Sequence, residues 1–205
     1  MPMTRLSVRA LKALPLAAML AVAACSNNIY ADVTRFHNNA PISRGTLAIV
    51  PPDPAMADSL EFRTHAESVA VQMRRLGYST GLPASQVEFL ATLDITQVDA
   101  MGNVSRPGMS VGAGVGVPIG SNAGIGANVA VPVGSSRRNP ALRTTTVAVN
   151  IQRRADRVQI WEGRATKEVG ANDDLAAATN AVPVLAEALF REFPGTPGQT
   201  VRVRL

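Results

Sequence analysis

The chain has 205 residues, 46% of them hydrophobic, 17% charged and 4% aromatic, enough apolar content to bury a core and too much for a disordered tail. A single cysteine excludes internal disulfides and multi-thiolate zinc sites, and two histidines, His37 and His65, all but exclude a multi-histidine metal site. The net charge of +5 falls to +2 once Arg5, Arg9 and Lys12 are set aside, with 17 basic residues facing 15 acidic ones, so the balance argues against nucleic-acid binding.

Those three basic residues precede a run from Leu14 to Ala24 that is almost wholly apolar. At eleven residues it is too short to cross a bilayer, which takes about 20. A basic region, a short apolar region and small residues at a cleavage point make a secretory signal over residues 1–24. Val22-Ala23-Ala24-Cys25 follows, and resembles the lipobox of bacterial lipoproteins. The resemblance implies cleavage before Cys25 and acylation of its thiol, so membrane lipid is a partner through Cys25. Two or three acyl chains suffice for stable anchoring. The competing reading is an ordinary signal peptide with a coincidental or buried cysteine. Ser26, in place of an inner-membrane-retaining Asp, favours the outer membrane, with the protein facing the periplasm.

Residues 25–31 read as an acylated tether and 32–205 as one α+β domain. Val33 to Phe36 begins a strand. Thr46-Leu47-Ala48-Ile49-Val50, stopped by Pro51-Pro52, predicts a buried strand. Asp58 and Glu61 have the spacing of a capping box. Phe62, Ala66, Val69, Ala70, Met73 and Leu76 recur at helical spacing, and Gly77 suits the left-handed position that ends a helix. Val87, Phe89, Ala91, Leu93 and Ile95 alternate with mostly polar residues as a second strand.

The stretch from Pro107 to Ser136 carries no charge and contains a repeat. Residues 111–122 align with residues 125–136 with seven of twelve positions identical. Branched or small apolar residues alternate with Gly, Asn, Ala or Pro, a period-two pattern that predicts a Gly-rich hairpin insertion over 107–136.

Thr145–Gln152 and Arg157–Val169 predict a hairpin turning near Arg154-Ala155-Asp156. Val147, Val149 and Ile151 face one way, with Val158 and Ile160 opposing them. Asn172-Asp173-Asp174 opens a last helix. Leu175, Ala178, Val182, Leu185, Leu189 and Phe193 are its stripe, Pro183 kinks it or delays its start, and Pro194-Gly195 stops it. Val201, Val203 and Leu205 suit a terminal edge strand. The whole predicts a two-layer α+β sandwich, a mainly antiparallel sheet with two packed helices.

Val158-Gln159-Ile160-Trp161-Glu162-Gly163-Arg164-Ala165 is similar to a strand of the bacterial lipoprotein family catalogued as Domain of Unknown Function 4136. Leu189-Phe190-Arg191-Glu192-Phe193-Pro194 is similar to that family's closing helix end. The resemblance covers roughly residues 32–195, with Trp161-x-Gly163 its most specific element. It implies a secreted, lipid-anchored domain with no established activity, and it carries no site residue across.

The remaining chemistry is thin. Glu61 and His65 have the spacing of a solvated helix pair, and an acid–base role is the alternative. His37 beside Arg35 reads as an exposed strand-end residue or a pH sensor. Asp173-Asp174 is a helix start before it is a metal-binding carboxylate pair. Trp161 covers the sheet or stacks on a ligand. Arg137-Arg138 and Arg153-Arg154-Arg157 are solubilising charges or contacts to lipid phosphates. The Gly-rich stretch lacks both G-x-G-x-x-G and Gly-Lys-Ser/Thr, and no catalytic, cofactor or metal residue is expected. The expected function is a lipid-anchored, non-catalytic structural or interaction module. Its partner is an envelope protein or a second copy, and the alternative is an oligomeric membrane-assembly subunit using the hairpin.

Overall fold

A computed structural model describes residues 29–100, 102–106 and 142–205. The signal segment, Cys25, the 107–136 repeat and Arg137-Arg138 lie outside the described residues. The elements in chain order are β1 (Tyr30–His37), β2 (Leu47–Val50), α1 (Leu60–Arg75), β3 (Phe89–Asp99), β4 (Val104–Ser105), β5 (Leu142–Arg153), β6 (Gln159–Gly170), α2 (Ala178–Phe190) and β7 (Thr200–Arg204). The sheet runs β2-β3-β5-β6-β1-β7, and β4 pairs with β3. Among the described strands only the β2–β3 pairing is parallel. This is the expected mainly antiparallel sheet with two helices.

Period two dictates which side chains meet the helices. Phe89, Ala91, Leu93 and Ile95 of β3, Val147, Val149 and Ile151 of β5, and Ala31 and Val33 of β1 are buried. Their neighbours Thr92, Asp94, Thr96, Thr146 and Asn150 keep partial contact with solvent. Burying each large member of the inner set contributes about 1.5–3 kcal/mol. Against this face pack Phe62, Val69 and Met73 of α1, and Ala181, Val182, Leu185 and Leu189 of α2.

α1 starts one residue later than the capping box predicts: the Ser59 hydroxyl, not Asp58, accepts from the Phe62 amide at 3.4 Å. It ends at Gly77, whose φ of +91° is the expected left-handed cap. The Asp173 carboxylate accepts from the Leu175 amide, capping a short 3-10 turn at Asp174–Ala176, and α2 follows from Ala178. Pro183 sits inside α2 and leaves the Thr179 carbonyl without its helical donor. β1 takes in Tyr30 and Ala31, two residues assigned to the tether, because Tyr30 pairs with Arg204 and Ala31 with Val203 on the edge strand β7.

The phase of β6 differs from expectation. The ladder to β5 shifts register between Ile151 and Gln152, so Ile151 faces Trp161 while Gln152 faces Gln159. The regular ladder up to Ile151 already turns Trp161 inward, in phase with Gly163 and Ala165, at 1% exposure; Ile160 is half-buried, and Val158, beyond the shift, is 46% exposed. The Trp161 indole stacks on Phe190 at 5.3 Å between ring centroids and meets Phe193 at 5.1 Å. Its Nε1 donates to the Pro194 carbonyl at 3.0 Å. Trp161 is therefore a core residue.

Candidate functional site

Among the described residues, the edge of β3 pairs with two strands. β2 pairs with it from Phe89 to Thr92, and β4 at Gln97 and Val98. Phe89 donates its amide to the Thr46 carbonyl, and Asp99 donates its amide to the Asn103 carbonyl. Odd-numbered residues of β3 therefore turn their main chain toward this edge; the Val50–Thr92 pairing sets the Val50 carbonyl against the Leu93 amide, and among the described residues no strand pairs with Ile95. Two prolines, Pro51 and Pro52, end β2 there. Residue 52 is where the next amide donor along β2 would stand, and proline has none.

Residues of this edge help to line a cavity of about 280 Å³. Phe62 and His65 of α1, Leu93 and Ile95 of β3, Met56, Pro51 and Pro52 line it. Its lining also carries charge: Asp53, and Asp94 and Arg106, which lie 3.6 Å apart. The Asp53 carboxylate also accepts from the Ala55 amide, capping the 3-10 turn at Pro54–Met56 that carries Met56.

His65 is 2% exposed, which corrects the expectation of a solvated pair with Glu61. Glu61 is half-exposed and its Oε1 lies 3.9 Å from Nε2, too far for a hydrogen bond. Burial pushes the His65 pKa below its ordinary value, with Glu61 opposing the shift more weakly, so the ring is neutral at neutral pH. The signal was present in the sequence: His65 is three residues after Phe62 and four before Val69, on the same helical stripe. Reading Ala66 in its place hid it.

The other candidate residues are scattered. The His37 Nε2 pairs with the Gly195 carbonyl at 2.9 Å, and its Nδ1 accepts from the Asn39 amide. Asp173 and Asp174 belong to the helix start, and no group of three or more His, Cys, Asp or Glu residues that could hold a metal ion occurs among the described residues. Arg153, Arg154 and Arg157 sit at the β5–β6 turn. Arg153 pairs with Asp156 at 2.6 Å, and Arg154 donates to the Val87 carbonyl.

Sequence reasoning passed over Arg35. It is 2% exposed, and its Nε and Nη2 donate to the Leu189 and Ala188 carbonyls at 2.9 and 3.0 Å, at the C-terminus of α2. Arg44 serves α1 likewise, donating to the Leu76 carbonyl at 2.7 Å with its guanidinium over the Tyr78 and Phe193 rings. Both cations meet the negative ends of helix dipoles and are structural.

No family model matches the chain. It is 28% identical over a 215-residue alignment to an uncharacterised protein of Zymomonas mobilis, covering 84% of this chain and 80% of that one. Among solved structures it is similar to a PDZ domain protein from Parabacteroides distasonis, with a TM-score of 0.50 and 9% identity over 91% of this chain. The chain spans 42% of that structure's length, and the likeness is one of fold alone. A PelC dodecamer from Paraburkholderia phytofirmans aligns with a TM-score of 0.38 and 7% identity, over 76% of this chain and 94% of that one.

Proposed function

We propose that the protein is a lipid-anchored envelope protein, a non-catalytic interaction module held on acylated Cys25 at the outer membrane and facing the periplasm. The observation that carries this is Val22-Ala23-Ala24-Cys25, placed after a basic then apolar N-terminus and holding the chain's one cysteine. The start of β1 supports it. Cys25 precedes Tyr30 by five residues, a span of at most about 18 Å. An acylated Cys25 keeps that end of the sheet beside the lipid. Partners bind the domain from the periplasmic side, whether another envelope protein or a second copy.

The test is Cys25→Ala with labelled palmitate. The wild type takes up label and sediments with outer membranes; the variant takes up none and leaves the membrane fraction. A variant that stays membrane-bound in high salt overturns the anchor.

One observation favours the second reading, an oligomeric membrane-assembly subunit. Asp32, Thr166, Thr146 and Thr96 form one row across the sheet. Beyond that row lie Tyr30 and Leu142, so the chain re-enters the sheet after the uncharged 107–136 repeat at the anchored end, although it departs toward the repeat from Arg106, back beside Asp94. Deleting residues 107–136 and comparing the particle size of both proteins in detergent decides it. A wild-type oligomer that the deletion dissolves supports assembly; two proteins of equal subunit number refute it.

A further inference from the structure

We infer that the groove between the outer edge of β2 and α1 is a docking site for an extended peptide segment in which an acidic residue precedes an apolar one. The inference deepens the interaction-module reading by naming the partner's chemistry, and it does not depend on the lipid anchor.

Three observations define the occupant. First, β2 stands at the end of the strand order, and its outer edge is only partly used. The parallel register turns the amides and carbonyls of Ala48 and Val50 toward β3. Those of Leu47 and Ile49 point the other way, and the Leu47 amide donates to the Ser79 carbonyl at 2.8 Å. Ser79 lies beside Thr46, and at Gly81, with a φ of +105°, the chain turns away. Among the described residues no hydrogen bond engages the Ile49 amide or carbonyl. An antiparallel peptide residue set opposite Ile49 exchanges two hydrogen bonds with it.

Second, that edge opens on a groove of about 560 Å³, inside the usual range for bound ligands, about 300–1,000 Å³. Ile49 of β2 and Ala66 and Ala70 of α1 line it with apolar surface. Leu82 lines it too and is 45% exposed, a large apolar side chain that an occupant would cover. Ile49 packs against the core on the side of α1. Opposed residues of an antiparallel pair share a face, so the peptide residue facing Ile49 sends its side chain into the groove.

Third, the groove carries an unbalanced cation at one end. Arg63, Glu67 and Arg74 of α1 line it. Arg74 pairs with Glu67 and donates to the Thr80 hydroxyl at 2.9 Å, which places it beside the start of β2. Arg63 donates to the Asp58 carbonyl at 3.1 Å, and among the described residues no carboxylate pairs with it. α1 runs back along β2, so Arg63, near its start, stands toward the end of β2. The N-terminal side of an antiparallel occupant lies at that end, so its acidic residue precedes the apolar one. Complementarity of this kind governs specificity and encounter rate.

The test titrates the full acylated chain in detergent with an N-acetylated heptapeptide, labelled with fluorescein at its C-terminus and read by anisotropy. The peptide has glutamate second, leucine fourth and threonine elsewhere. Saturable binding is expected. Methylating the leucine amide removes the donor to the Ile49 carbonyl and weakens binding about tenfold or more. Methylating the next threonine amide, which faces away from β2, leaves binding unchanged. Arg63→Glu, at an exposed position, reverses the preference from glutamate to lysine in the peptide. Ile49→Pro removes the edge donor without taking a bond from β3 and weakens binding, with native Trp161 emission checking its fold. Leu82→Glu, outside the core, weakens binding as well. Absence of saturable binding overturns the inference, as does binding that survives methylation of the leucine amide, or a glutamate preference that Arg63→Glu leaves unchanged. Cys25→Ala in the same titration binds as the wild type does, so failure of the anchor and failure of the groove are read separately.

Discussion

The indole of Trp161 lies across Gly163, two residues along the same strand, in space that any side chain at 163 would occupy. A Cβ there would collide with the indole and come within 2.9 Å of the Leu189 Cδ1. The Trp-x-Gly element is thus a packing device: the glycine is absent volume, and the tryptophan fills it beneath Phe190 and Phe193. Gly163→Ala should destabilise the domain by about 1–3 kcal/mol through overpacking. Trp161 is the chain's one tryptophan, so its fluorescence during urea unfolding reads the change directly. An unchanged midpoint with native emission would refute this packing.

Arg35 supports a second prediction. Its buried guanidinium satisfies two carbonyls at the end of α2, which helical geometry leaves without partners. Arg35→Ala should cost about 2–3 kcal/mol, the scale of hydrogen bonds to a charged donor. Arg35→Lys should recover little, because a single ammonium does not reproduce the fork that meets both oxygens. Chemical denaturation of both variants checks this; full stability of the lysine variant contradicts it.

His65 makes stability depend on pH. Its folded-state pKa lies below that of the unfolded chain because burial disfavours the charged ring. The unfolded state therefore binds more protons as pH falls through the ordinary histidine range. The stability that the neutral ring contributes is complete above that range and is lost progressively below it. Wild-type protein should lose more stability between pH 7.5 and pH 5 than His65→Gln does, read as the shift of the urea midpoint. Equal shifts in both would place His65 in water.

Leu93 and Ile160 separate the two possible phases of the β5–β6 hairpin. Leu93 is 2% exposed within the core, whereas Ile160 is only half-buried. Leu93→Ala should cost about 2–5 kcal/mol, and Ile160→Ala distinctly less. Equal losses would return Ile160 to the core face and contradict the pairing of Trp161 with Ile151.

The sequence by itself determined the elements whose signals are local. Phe62, Val69 and Met73 mark α1 through their 3.6-residue recurrence, and Gly77 ends it because a left-handed residue is needed there. Phe89, Ala91, Leu93 and Ile95 mark the inner face of β3 through period two. Tertiary structure decided what local signals do not encode. The position of β1 between β6 and β7 depends on partners more than a hundred residues away in the chain. The inward turn of Trp161 depends on the β5–β6 register that sets it against the buried Ile151. Arg35 and His65 read as surface residues because charged and polar groups are usually solvated; their burial follows from what the fold sets against them, the carbonyls ending α2 and the cavity behind the β3 edge.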